Sequence, residues 1–73
     1  MIKEHQRAVL TVDLPDYHLE TGDVGTVVQI YKGGQAYEIE FFTLDGKTLH
    51  VVTVEAAQVR SVGARDVMHA RPA

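Results

Sequence analysis

The chain has seventy-three residues and a net charge of −3, which leaves room for one domain and argues against a general nucleic-acid binder, since such proteins neutralise phosphates with an excess of Lys and Arg. It has no cysteine, so no disulfide or thiolate-held metal can staple a core whose net stability at this size is about 3–5 kcal/mol. The polar start Met1-Ile2-Lys3-Glu4-His5 lacks the apolar run of a signal peptide, and no apolar stretch is long enough to span a membrane, so the expected location is the cytoplasm.

The chain alternates strand patterns with turn signals. Arg7 to Val12, rich in β-branched residues, predicts a first strand. Asp13 to Gly22 is polar and contains Pro15, which has no N–H and a fixed φ, so it predicts a long loop. Gly22-Asp23 turns into a second strand, Val24 to Tyr31. Gly33 and Gly34 then supply positive φ for a hairpin, and a third strand runs from Ala36 to Thr43. Asp45-Gly46 is a two-residue hairpin signal of type I′, followed by a fourth strand, Thr48 to Val54. Glu55 to Gln58 is too short for an independent helix and predicts one helical turn before a fifth strand, Val59 to Val62. These elements predict an all-β fold, a small five-stranded SH3-like barrel with a short helical turn before the last strand. The barrel is assigned to residues 1–65 and a C-terminal tail to 66–73. That tail either frays or lies on the barrel through Val67 and Met68.

Two-residue loops at both hairpins set an expected register. Ile30 meets Tyr37, Val28 meets Ile39 and Thr26 meets Phe41; Tyr37 meets Val54, Ile39 meets Val52 and Phe41 meets His50. The expected core is therefore Val24, Val28, Ile30, Tyr37, Ile39, Phe41, Val52 and Val54. The opposite face carries Gln29, Glu38 and Thr53, which suit water. It also carries Val27, Phe42, Leu49 and Val51, which do not, with Phe42 opposite Leu49 and with Val27 and Val51 flanking Glu40.

Gly22-Asp23-Val24-Gly25-Thr26-Val27-Val28 is similar to the glycine-centred turn and strand of KOW-type barrels, found in ribosomal and transcription proteins, and to the barrel of nitrile hydratase β subunits. The bland alternative is that Gly25 marks a bulge or a close backbone approach. A phosphate cradle would need a lysine and a hydroxyl opening a helix, and a strand follows here. His5, His18, His50 and His69 lack metal-ligand spacing. Ser61, the one serine, has no adjacent base, and Glu38 and Glu40, about 7 Å apart along one strand, fit a solvated face better than a glycosidase pair. Tyr17, Tyr31 and Tyr37 are not joined by the tryptophan of a polyproline groove.

Taken whole, the chain resembles a family of short bacterial proteins, domain of unknown function 4926. The resemblance lies in Val9-Leu10-Thr11 with Asp13-Leu14-Pro15, in Gly22 to Val28, in Tyr37-Glu38-Ile39-Glu40-Phe41, in Asp45-Gly46 and in Gln58-Val59-Arg60. It covers roughly residues 3 to 65 and implies an SH3-like barrel with no assigned activity, acting as the small, antitoxin-like partner of a neighbour-encoded protein. The expected function is thus a non-enzymatic, cofactor-free protein-binding module whose partner is another protein or a second copy, with Val27, Phe42, Leu49 and Val51 as contact residues. Gly22, Gly25, Gly33, Gly34, Asp45 and Gly46 are expected to be structural turn residues. A KOW-type RNA-binding barrel and a non-catalytic enzyme subunit are the alternatives.

Overall fold

A computed structural model describes residues 1–73. Five antiparallel strands form one curled sheet: β1 (Arg7–Leu10), β2 (Val24–Tyr31), β3 (Ala36–Phe42), β4 (Thr48–Glu55) and β5 (Val59–Ser61), in the order β4-β3-β2-β1-β5. Short 3-10 turns at Pro15–Tyr17 and Ala56–Gln58 are the only helical pieces. The second turn leads into β5 through a capping box in which Gln58 Oε1 accepts the Glu55 N–H at 2.8 Å. This is the expected all-β arrangement of five strands with one helical turn before the last. β1 is two residues shorter than expected because the Thr11 N–H leaves the ladder and donates to the Gln58 carbonyl at 2.8 Å.

The core is Ile2, Ala8, Leu10, Leu19, Val27, Tyr37, Ile39, Phe41, Val52, Val54 and Val59, with Leu14, Ile30 and Ala56 packed against it. Tyr37, Ile39, Phe41, Val52 and Val54 face inward as expected. β2 does not follow simple alternation. Its ladder with β3 starts as expected, Tyr31 on Ala36 and Ile30 on Tyr37, then shifts between Val27 and Gln29 so that Val27, not Val28, meets Ile39 and Thr26 meets Glu40. The extra residue is Val28. A bulge of this kind puts two residues of one strand against one of its neighbour, so every side chain before it changes face. Val27 is therefore fully buried rather than exposed, Val28 is half-buried and Val24 lies outside the core at 44% exposure.

The β3–β4 hairpin deviates twice, and the deviations cancel. Thr43 N–H donates to the Lys47 carbonyl at 2.9 Å, leaving a three-residue loop of Leu44, Asp45 and Gly46. Only Gly46 has positive φ, at 86°, so the loop is a type I turn closed by a left-handed glycine and not a type I′ turn on Asp45-Gly46. A second shift makes Leu49 an unpaired bulge: Phe42 meets Thr48 rather than Leu49, and beyond it Phe41 meets His50, Ile39 meets Val52 and Tyr37 meets Val54. The β2–β3 loop holds positive φ at Lys32 (51°), Gly33 (66°) and Gly34 (105°), so the left-handed pair of its tight turn is Lys32-Gly33, one residue earlier than Gly33-Gly34.

Gly25 has a different task. A Cβ there would run into the Ile39 side chain and would lie 2.8 Å from the Glu40 carbonyl oxygen, so β2 and β3 can close over the core only with a bare backbone at this point. The ends of the chain complete the enclosure. His5 N–H donates to the Val27 carbonyl at 2.7 Å and Ile2 is buried, so the N-terminal segment is tied beside β2. Val67 and Met68 stay exposed at 90% and 87%, so the tail does not pack through them.

Two substitutions separate these roles in urea titrations. Gly46→Val meets open space and only backbone strain, with an expected loss of more than about 1 kcal/mol. Gly25→Ala overpacks the β2–β3 contact, with an expected loss of about 1–3 kcal/mol. A neutral Gly25→Ala would mean that the two strands are not in contact there.

Candidate functional site

The outer face of β3 and β4 is the candidate site. On β3, alternation sends Glu38, Glu40 and Phe42 outward while Tyr37, Ile39 and Phe41 fill the core. On β4, Val51, Thr53 and Glu55 point outward between buried Val52 and Val54. Cross-strand pairing then sets Val51 beside Glu40 and Thr48 beside Phe42, while the bulge swings Leu49 out of the ladder. Phe42 and Val51 are exposed at 42% and 51% on this face, toward the loop end of the two strands, whereas Leu49, 41% exposed, is turned by the bulge to the side of His50 and lines the adjoining groove. Thr26, not Val27, flanks Glu40 on the other side, because the bulge at Val28 has turned Val27 inward. Two of the four expected contact residues, Phe42 and Val51, thus share the surface; Leu49 lies in the adjoining groove and Val27 belongs to the core.

The carboxylates on this face are held. Glu40 Oε2 accepts from the Thr48 hydroxyl at 2.6 Å, and Glu38 Oε1 accepts from the Tyr31 hydroxyl at 2.8 Å. The bond to Glu38 pushes the Tyr31 hydroxyl above its ordinary pKa. No three His, Asp or Glu side chains converge in a metal-ligand arrangement. Gly22, Gly33, Gly34 and Gly46 hold positive φ at their turns, and Asp45 accepts a hydrogen bond from the Thr43 hydroxyl.

An open groove adjoins the site, lined by Pro15, Tyr17, Leu19, Leu49, His50 and Arg71 among others. The long loop builds one wall. A Leu14–Leu19 bridge makes it a small hairpin, the 3-10 turn ends on left-handed His18, and Leu19 plugs the core. Asp13 Oδ1 accepts the Thr21 N–H at 2.8 Å and its hydroxyl at 3.0 Å, and these bonds hold the carboxyl below its usual pKa. The Tyr17 ring meets the His50 ring edge-on at 5.5 Å. Leu49 and His50 of β4 also line the groove, and Arg71, from the tail, is fastened to the loop side. Its Nε and Nη2 donate to the two oxygens of Asp23 at 2.8 and 2.5 Å, and Nη2 also donates to the His18 carbonyl at 3.0 Å. The sequence gives one signal for this contact, a lone arginine beyond an otherwise patternless tail, and it does not say where that arginine lands.

Burial of Asp23 opposes its ionisation, but the hydrogen bonds from Arg71 and the Glu20 N–H, with the guanidinium charge, hold its carboxyl below the usual range. Asp66 is held at about 2 by hydrogen bonds from Arg60 and the Gly63 N–H. A carboxyl whose folded pKa is depressed contributes stability above its unfolded pKa and loses it as pH falls through the folded value. The Arg71 latch is therefore expected to be closed at neutral pH and to open only in acid below the ordinary aspartate range. Backbone relaxation measurements on residues 67–73 check this: Arg71→Gln should loosen the segment at neutral pH. Unchanged relaxation in that variant would show that Arg71 does not hold the tail.

No curated protein and no solved structure matches the chain. A family model, Domain of unknown function (DUF4926), matches residues 4–61, which span every strand of the sheet. The glycine turn, the β2 and β3 strands and the closing Gln58-Val59-Arg60 all lie within that match, and the chain belongs to this family.

Proposed function

We propose that this chain is a small protein-binding module, an accessory partner of another polypeptide, and that it associates through the outer β3–β4 surface. The observation that carries this function is the exposure of Phe42 and Val51 on the outer β3–β4 face, with Leu49 exposed in the groove beside it, in a domain with little stability to spare. Burying a side chain of this kind is worth roughly 1.5–3 kcal/mol. Single exposed apolar residues are ordinary, whereas clustered ones mark contact surfaces. An antitoxin-like role beside a neighbour-encoded protein is the form of partnership that a small, acidic domain of this kind suits.

Substitution separates the surface from the core. Phe42→Glu is expected to leave the domain folded and to abolish its association with partners captured from the native host. Val27→Glu places an unpaired charge in the core and is expected to unfold it. If Phe42→Glu unfolds the chain, the surface assignment fails; if association survives in a folded Phe42→Glu variant, the binding surface lies elsewhere. The net charge predicts no tight RNA binding, so micromolar affinity for unstructured RNA at about 150 mM salt would replace this function with an RNA-binding one.

A further inference from the structure

We propose that the outer β3–β4 face takes a basic polypeptide segment, whose lysine or arginine side chains meet Glu38 and Glu40 while an apolar side chain covers Phe42 and Val51; this rests on the reading of that face as an association site. The charge on the face is of one sign. β2, β3 and β4 contain no lysine or arginine and three glutamates, Glu38, Glu40 and Glu55. Across the ladders Glu38 lies between Gln29 and Thr53, and Glu40 between Thr26 and Val51, so no neighbouring position neutralises either carboxylate. The chain's three ion pairs, Arg60 with Asp66 and Arg71 with Glu20 and Asp23, all lie elsewhere.

The two carboxylates are half-buried and already oriented. The Tyr31 hydroxyl donates to Glu38 Oε1 and the Thr48 hydroxyl to Glu40 Oε2, which leaves Glu38 Oε2 and Glu40 Oε1 without a hydrogen bond from the chain. An ionised carboxylate accepts on both oxygens, so each has capacity for an incoming N–H. Side chains held before the partner arrives lose less freedom on binding. Glu38 and Glu40 are also two positions apart on one strand, about 7 Å, which is inside the screening length at physiological salt. Their mutual repulsion is relieved by a cation brought from outside.

Phe42 continues the row two positions beyond Glu40, and Val51 sits beside Glu40 on β4. The row therefore reads carboxylate, carboxylate, aromatic ring at alternate positions of β3. One side of an extended segment has the same spacing, so cation, cation and apolar side chain at alternate positions match it. The same charge disfavours other occupants. Phosphates of nucleic acid or of a lipid surface would meet carboxylates and no lysine or arginine, and a second copy laid face to face would set one acidic row against another.

The probe is a synthetic peptide, Lys-Val-Lys-Val-Phe with blocked ends, titrated to millimolar concentration into the isotope-labelled full chain, with Glu-Val-Glu-Val-Phe as its acidic counterpart. Saturable shifts of the Glu38, Glu40, Phe42 and Val51 amides are expected with the basic peptide alone, and they should weaken as salt is raised. Glu38→Gln combined with Glu40→Gln keeps an oxygen acceptor for the Tyr31 and Thr48 hydroxyls. It is expected to weaken binding roughly tenfold with an unchanged circular dichroism spectrum. A basic peptide that leaves these amides unmoved, binds the double variant equally well or is matched by the acidic one overturns the basic partner. Self-association of the chain or single-stranded RNA that moves the same amides overturns it too. Phe42→Glu separates this partner from the surface itself. If that folded variant loses its captured host protein while the double glutamine variant keeps it, the surface stands and the basic partner fails; if both keep it, the surface fails as well.

Discussion

One extra residue in β2 decides which side of this domain is inside. Val27 and Ile30 are three positions apart, and in a regular strand they would point to opposite faces. The bulge at Val28 lets both turn toward Ile39 and Tyr37, and it lets Gly25 lie against the Ile39 and Phe41 side chains where a Cβ would collide. The tight β2–β3 crossing near Gly25 and the regular hairpin at Lys32 to Gln35 belong to two registers of the same strand pair. The bulge joins them, and the curvature of the sheet follows from it.

The neighbouring hairpin shows the same physics with a different outcome. A three-residue loop in place of a two-residue one moves the register by one position, and the bulge at Leu49 moves it back. The core pairings of Tyr37, Ile39 and Phe41 are therefore indifferent to the turn type, whereas the surface is not. Leu49 is displaced from the ladder toward the groove, and Phe42 is left facing Thr48, a smaller side chain that covers less of its ring. The exposure of Leu49 is thus a by-product of how the hairpin closes, and it falls on an edge strand whose single acidic residue is Glu55 at its end.

The long loop and the tail tie down the opposite corner by polar means. Asp13 organises Thr21, Asp23 receives both Glu20 N–H and Arg71, and Leu19 supplies the single apolar anchor. Ion pairs of this partly exposed kind contribute little to global stability, so the tail is held locally rather than folded into the core. The result is a domain with one polar, self-satisfied corner and one apolar, unsatisfied edge. That asymmetry is what favours the proposal of association through β3 and β4 over one through the loop.

Much of this architecture was legible in the amino-acid order. Period-two alternation places β3 and β4, glycines mark the turns, and Tyr37, Ile39, Phe41, Val52 and Val54 emerge as core because their partners lie close in sequence. Phe42 and Val51 point outward by alternation alone, so that part of the candidate surface was legible too, whereas the bulge that turns Leu49 to the groove was not. Val27 was not, because a bulge is set by the fit of Gly25 and Ile39 across two strands and leaves no periodic trace in β2 itself. Leu19 and Ile2 sit in polar segments, and only the folded sheet shows that an opening in the core exists at each place. Arg71 finds Asp23 across forty-eight positions, a contact that no local pattern encodes. Local alternation and turn chemistry determined the strands; the packing of non-neighbouring segments decided which face of β2 is the core, where the tail is fastened and which edge is left open.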